Sequence, residues 1–205
     1  MGFYSSWLFP RVLDLVMRQT QMLPFRKQIG DLADGRVLDL GVGSGLNLAF
    51  YGPQCERVYG LDPSMELLQF AEERKQHNAS VRVELMRGSA EALPLEDKSI
   101  DTVVITFTLC TVRDTASSLA EVRRVLRPDG KVIFAEHGRA PELGVARWQD
   151  RLTPVWKRIG GGCHLNRKPD DLIRSAGFRI VSLETRYIKG PRPMSFVYAG
   201  CARAD

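Results

Sequence analysis

Two stretches carry residue types that could do chemistry. The first is Glu136-His137-Gly138-Arg139, directly after the apolar run Val132-Ile133-Phe134-Ala135. A histidine at the end of a buried strand stands at the carboxyl edge, where open α/β sheets bind their ligands. Its ordinary pKa of about 6.5 suits taking a proton or holding an anion near neutral pH. His164, on the loop Gly160-Gly161-Gly162-Cys163-His164, competes for that role, and Arg139 offers a fixed positive charge. These three are the catalytic candidates; the plain alternative for His137 is a backbone hydrogen bond at a strand end. Glu136 points the other way if the pleat persists and reads as a polar end to the core. His77 follows the polar run Glu72-Glu73-Arg74-Lys75-Gln76 and reads as solvated.

The second stretch is Val37-Leu38-Asp39-Leu40-Gly41-Val42-Gly43-Ser44-Gly45-Leu46-Asn47. It reads as a buried strand, three glycines at every second position, and a helix start. Gly41 allows a tight turn, and Gly43 lets a ligand approach the backbone. Gly45 lets the next helix pack closely, with its free N–H groups toward the ligand. Dinucleotide sites use Gly-x-Gly-x-x-Gly, but here Leu46 occupies the place of the last glycine. Asp62 ends the next strand-like run, 21 residues after Gly41. An acidic residue at about that distance meets ribose hydroxyls, and Asp62-Pro63-Ser64 also starts a helix well.

The form Asp-x-Gly-x-Gly-x-Gly, from Asp39 to Gly45, resembles motif I of the class I S-adenosylmethionine-dependent methyltransferases, type 11 domain. Gly88-Ser89-Ala90-Glu91-Ala92-Leu93-Pro94 is similar to that family's adenine-binding loop, with Ser89 where the family has Asp. A serine oxygen accepts a hydrogen bond without charge, so weaker adenine selectivity is expected from the side chain. The resemblance implies S-adenosylmethionine as cofactor. Asp39, Gly41, Gly43, Gly45 and Asn47 would surround its methionine end, and Asp62 its ribose, with Pro63 and Met65 alongside. Ser89, Ala90 and Glu91 would meet the adenine, and Thr106 and Phe107 would lie beside the methionine half and the acceptor.

A narrower resemblance runs from residue 100 onward. Asp101 to Val112, Glu121 to Gly130, Glu136-His137 and Trp156 to Arg167 look like the methyltransferase-like alkyl thiol methyltransferases. The implied reaction moves a methyl group to a small-molecule acceptor, a thiol. Two alternatives stay open: a phospholipid or quinone N-, O- or C-methyltransferase, and a cofactor-binding regulator without turnover.

The implied fold is α/β and Rossmann-like: a mostly parallel seven-stranded sheet, an antiparallel last strand, and helices on both faces. The domain begins at residue 31 and runs to 205. Residues 1–30 read as an amphipathic helical lid, with Arg11, Asp14 and Arg18 on one face and Val12, Leu13, Leu15, Val16 and Met17 on the other. Tyr4 and Trp7 would shield the sulfonium. The segment is too short and charged to span a bilayer and has no signal-peptide pattern, so the choice lies between a cover for the pocket and an interfacial anchor. Leu46 to Tyr51 reads as a short helix, and Pro154 as a break or kink in the helix containing Val145, Trp148 and Leu152.

At 44% hydrophobic, 205 residues support one substantial core. The four cysteines have no paired spacing and no Cys-x-x-Cys. That suggests a reducing, cytoplasmic setting, with a site peripheral to the membrane as a variant, and no metal. The net charge of +5 is mild. No RNA-binding signature is present, nor an Asn/Asp-Pro-Pro-aromatic motif after the fourth strand, so nucleic acid is not an expected partner. The expected partner is a small-molecule substrate, including hydrophobic or lipid ones, with peripheral membrane contact through the first helix as an added possibility.

Overall fold

The computed structural model describes residues 8–77 and 80–204; Tyr4 and Trp7 fall outside them. Two helices, α1 (Phe9–Met17) and α2 (Leu23–Leu32), lead into β1 (Gly35–Leu40), β2 (Cys55–Asp62), α3 (Met65–Lys75), β3 (Arg82–Arg87) and β4 (Ile100–Thr106). Then follow α4 (Thr115–Val125), β5 (Leu126–His137), α5 (Leu143–Ile159), α6 (Pro169–Ser175), β6 (Phe178–Tyr187), α7 (Arg192–Ser195) and β7 (Phe196–Ala204). The seven strands form one sheet in the order β3-β2-β1-β4-β5-β7-β6, and β7 runs antiparallel to both of its neighbours. The chain builds outward from β1 to β3, then returns to lay β4 on the other side of β1. That reversal opens a crevice at the carboxyl ends of β1 and β4, the place where such sheets bind ligands.

The central strands are apolar on both faces because both faces are covered. On β1, Val37 joins Ile29 of α2 and Val58 in one core, while Leu38 and Leu40 join Leu119 and Val122 of α4 in the other. The same alternation divides Val104 from Val103 and Ile105 on β4, and Ile133 from Val132 and Phe134 on β5. Burying each such side chain is worth about 1.5–3 kcal/mol. Registry aligns the chemistry: Leu40 pairs with Leu61 and Ile105, and Thr106 pairs with Ala135. The ends of β1, β2, β4 and β5 therefore share one edge.

Four local expectations change. The glycine loop opens into turns and a single 3-10 turn, Leu48–Phe50, rather than an α-helix. Gly52-Pro53 leaves too little chain for one. The close packing expected of Gly45 is made instead with α3: a Cβ there would lie 2.9 Å from the Ala71 Cα. Pro154 does not break α5; Thr153 turns its hydroxyl back to the Gln149 carbonyl at 2.7 Å. Arg127-Pro128-Asp129-Gly130, whose composition reads as a turn closing the helix before it, is absorbed into β5 as an irregularity in its pairing with β4.

The fourth change concerns α1. Its buried residues are Pro10 and Asp14, while Val12, Leu15 and Val16 face outward, Leu15 at 70% exposure. Asp14 decides this orientation, because Arg74 of α3 meets it at 2.8 Å and Arg18 at 2.5 Å. Arg74 also donates to the carbonyl of Ser44 in the glycine loop. Helix α2 belongs to the core rather than to a lid, with Phe25 and Ile29 almost fully buried.

Candidate active site at the strand ends

Glycines 41, 43 and 45 all adopt positive φ, between 54° and 78°. At Gly41 the need is also steric, since a Cβ would lie 2.2 Å from the Thr108 Oγ1. At Gly43 a Cβ would meet nothing closer than 3.8 Å, so the crest of the loop lies open. A ligand can therefore rest against its backbone. Beneath the loop Asp39 is fully buried. Its carboxylate accepts from Asn47 Nδ2 at 3.3 Å, and Asn47 also donates to Thr106 Oγ1 at 3.1 Å. Burial raises the Asp39 carboxyl to about 6, against the lowering effect of the Tyr51 hydroxyl and Asn47. Asp39 thus shapes the loop through Asn47.

Asp62 ends β2 and accepts two backbone N–H groups, from Gly43 at 3.0 Å and Ser64 at 2.8 Å. Burial pushes its pKa up, and these two bonds oppose the shift. The helix cap itself is Ser64, whose hydroxyl accepts from the Leu67 N–H. Pro63 and Met65 are exposed beside it. Across the edge, Ser89 donates to the Glu91 carboxylate, and Ala90 is buried. The open glycine crest, Asp62 and the Ser89 to Glu91 segment all lie at or just after the carboxyl ends of neighbouring strands, which fits a nucleoside-bearing cofactor such as S-adenosylmethionine.

The turn after β4 is the strained part of the edge. Phe107 has φ of 51°, a conformation that costs a non-glycine residue about 1–3 kcal/mol. Glu136 holds this turn. Fully buried, it accepts the Thr108 N–H at 2.5 Å and the Leu109 N–H at 3.0 Å. Sequence reading took Glu136 for a polar end to the core and missed this clamp; its sole signal was a carboxylate within an apolar run. Burial lifts the Glu136 carboxyl from its ordinary 4.5 to about 7, despite those N–H bonds. A raised folded pKa gives stability that is complete below about 4.5 and fades as pH rises through 7. Glu136→Gln should flatten that decline by about 2–3 kcal/mol in denaturant titrations between pH 5 and 8. Parallel pH profiles for the two proteins would reject the assignment.

His137 faces away from Glu136, stacked on Phe107 with ring centroids 6.3 Å apart. Its Nε2 lies 2.9 Å from the sulfur of Cys163, and its Nδ1 is buried without a hydrogen-bond partner. Cys110, three residues past Phe107, completes a group: one donor atom each from Cys110, His137 and Cys163 lies within 4.8 Å of the others. No metal site was expected from cysteine spacing, yet the fold gathers these three potential metal ligands. The Cys110 thiol and the His137 ring hold the Cys163 thiol below its ordinary range, against burial, and Cys110 is pushed up in turn. Burial disfavours a charged His137, but the Cys163 sulfur outweighs it and raises the ring's pKa.

The other two catalytic candidates are placed differently. His164 sets its Nδ1 3.1 Å from the Cys110 carbonyl and lines an open pocket of about 580 Å³. Arg113, Lys157 and Arg167 line the same pocket. Burial, and then the Arg167 and Lys157 charges, keep His164 below its ordinary pKa. Arg139 is instead bound twice by the Asp150 carboxylate, at 2.6 and 2.9 Å. Its charge is engaged in a structural pair.

Comparison with known proteins agrees with this geometry. Residues 38–134 match the model of the methyltransferase domain family. The chain is 36% identical over 173 residues to the thiol S-methyltransferase TMT1B of Homo sapiens, covering 82% of this chain and 69% of that one. It is 40% identical over 164 residues to TMT1B of Mus musculus, covering 77% and 67%. The chain thus spans about two thirds of the length of these relatives. A SAM-dependent methyltransferase from Aquifex aeolicus shares the fold, with a TM-score of 0.66 at 15% identity, covering 96% of this chain and 98% of that one. With the glycine crest, Asp62 and these relatives together, the chain belongs to the S-adenosylmethionine-dependent methyltransferases.

Proposed function

We propose that the protein methylates the sulfur of a small thiol. The observation that carries this reading is the basic pocket beside Cys110 and Cys163, with Arg113, Lys157, Arg167 and His164 on its walls. A thiol reacts as its thiolate and has an ordinary pKa of about 8.5, so nearby positive charge enlarges the reactive fraction. The thiol S-methyltransferase relatives support the same acceptor class.

The cofactor supplies a methyl group on a sulfonium. The chain supplies position and a water-poor setting. Asp62 and the Gly43 crest are suited to the ribose and the methionine end, with Asn47 and Thr106 supporting the loop from below. A mass-spectrometric screen of small thiols, amines and phenols tests the reading. A methylated thioether is the expected product; product from amines or phenols alone would transfer the reading to a lipid or quinone acceptor. Tight cofactor binding with no product from any acceptor would mean a regulator without turnover.

The lid reading falls to α1. Phe9 packs on Gly161, where a Cβ would lie 2.5 Å from the Phe9 ring, so α1 reaches the loop that carries Cys163. Deleting residues 1–18 should leave a folded domain with turnover reduced at least about tenfold, or 1.4 kcal/mol in the barrier. Loss of cooperative unfolding in the truncated protein would make α1 part of the core. The outward apolar face of α1, with Trp148 and Val155 of α5 also exposed, is the feature that would favour peripheral membrane contact. Co-sedimentation with anionic vesicles tests it. No described helix is long and apolar enough to cross a membrane.

A further inference from the structure

We propose that Cys110, His137 and Cys163 bind one Zn2+ ion, and that the fourth position of this ion takes the sulfur of the acceptor. The second half rests on the thiol reading above; the first does not. The three donors come from separate elements: the turn after β4, the end of β5, and the loop after α5. Two thiols and an imidazole make a soft donor set, which suits zinc and not magnesium or calcium.

The spacing is close to what the ion needs. Zinc bonds of about 2.3 Å to sulfur and 2.0–2.1 Å to nitrogen place tetrahedral ligands about 3.5–3.8 Å apart. The donor atoms lie within 4.8 Å of one another, and His137 Nε2 and Cys163 Sγ are already at 2.9 Å. Seating the ion requires the His137–Cys163 pair to open toward about 3.5 Å and any wider pair to close by about 1 Å at most. Coordination through Nε2 would place the imidazole proton on Nδ1, the buried atom that has no partner now.

Three protein ligands leave one zinc position open, the pattern of catalytic rather than structural sites. Thr111, Gly162 and His164, which adjoin Cys110 and Cys163 in sequence, line the pocket, and the proposal sets the open position toward that side. Leu152, Trp156 and Leu165 pack around the cysteines and keep the surroundings apolar. An incoming thiol would lose its proton to water as its sulfur binds the ion, since a coordinated thiol is deprotonated outright. The bound sulfur then forms a bond to the methyl carbon as the bond from that carbon to the cofactor sulfonium breaks. The products are a thioether, a weak ligand that leaves the ion, and the neutral demethylated cofactor. Arg167 offsets the negative charge of three sulfurs on one divalent ion; its guanidinium donates to the carbonyls of Leu109 at 2.5 Å and Val112 at 2.7 Å, beside Cys110.

The test uses the full chain, kept reduced and stripped of metal by a chelator. Titration with Co2+ should show one ion per chain and a thiolate-to-cobalt charge-transfer band that Zn2+ abolishes. Cys163→Ser should retain its far-UV circular dichroism and bind Co2+ at least about tenfold more weakly. Should that variant fail to fold, wild-type protein still decides the matter. The metal-free form should bind S-adenosylmethionine normally, methylate a small thiol at least about tenfold more slowly, and recover with one equivalent of Zn2+. A folded wild-type chain that binds no Co2+ would overturn the metal site. Full-rate thiol methylation by the metal-free chain would overturn the role at the acceptor while leaving the thiol reading intact. Methylation of amines or phenols but no thiol by the zinc-loaded chain would remove the thiol reading, and with it the acceptor role, while the cobalt band would still report the site.

Discussion

His137→Ala should lower turnover at least about tenfold, or 1.4 kcal/mol in the barrier, and leave cofactor affinity unchanged. The imidazole ends β5, lies 2.9 Å from the Cys163 sulfur and stacks on Phe107 at the strained turn. Its removal takes away the nitrogen that faces the Cys163 sulfur, and with it one of the three donors gathered there. The glycine loop should not respond, because Asp62 and the Asp39–Asn47 pair hold it independently. The pH dependence gives a sharper readout. In the metal-free chain the Cys163 sulfur raises the pKa of the ring, so a rate that depends on its charge falls as pH rises through that value, whereas a ring bound to zinc stays neutral and shows no such ionisation. That ionisation should vanish from the pH–rate profile of the variant. Wild-type turnover across the whole pH range would assign His137 to structure and move attention to His164.

Asp62→Ala should weaken S-adenosylmethionine binding by about 1.5–3 kcal/mol, roughly 10- to 150-fold. Two losses combine. The charged acceptor available to a ribose disappears, and the N–H groups of Gly43 and Ser64 lose their partner. Asp62→Asn separates them, because its amide oxygen can still accept one N–H but carries no charge. Its affinity should fall between those of wild type and Asp62→Ala. Titration calorimetry that finds equal affinity in all three proteins would remove Asp62 from the cofactor site.

The glycine loop was legible because its information is local. Strand, turn and glycines follow within a few positions, and β1 needs only its own apolar run to be recognised. The group around Cys163 was not legible, because His137 and Cys163 are 26 residues apart and meet only once β5 and the loop after α5 are folded. Glu136 was hidden for a different reason. Pleat geometry correctly turned it from the His137 face, but nothing in the sequence shows that the N–H groups of Thr108 and Leu109 await it there. Periodicity found the amphipathic α1 but did not say which side faces the protein. An ion pair between Asp14 and Arg74 of α3, distant in sequence, outweighed the apolar stripe.

That Arg74 contact has a thermodynamic consequence. One guanidinium grips both Asp14 on α1 and the Ser44 carbonyl in the glycine loop, so the docking of α1 and the shape of the loop share a single side chain. Two equilibria that share a contact are linked, and linkage is reciprocal. Whatever factor bound cofactor adds to the docked population of α1, docking must add to cofactor affinity. Hydrogen exchange in α1 with and without cofactor, set beside cofactor affinity with and without α1, measures the same free energy from both ends.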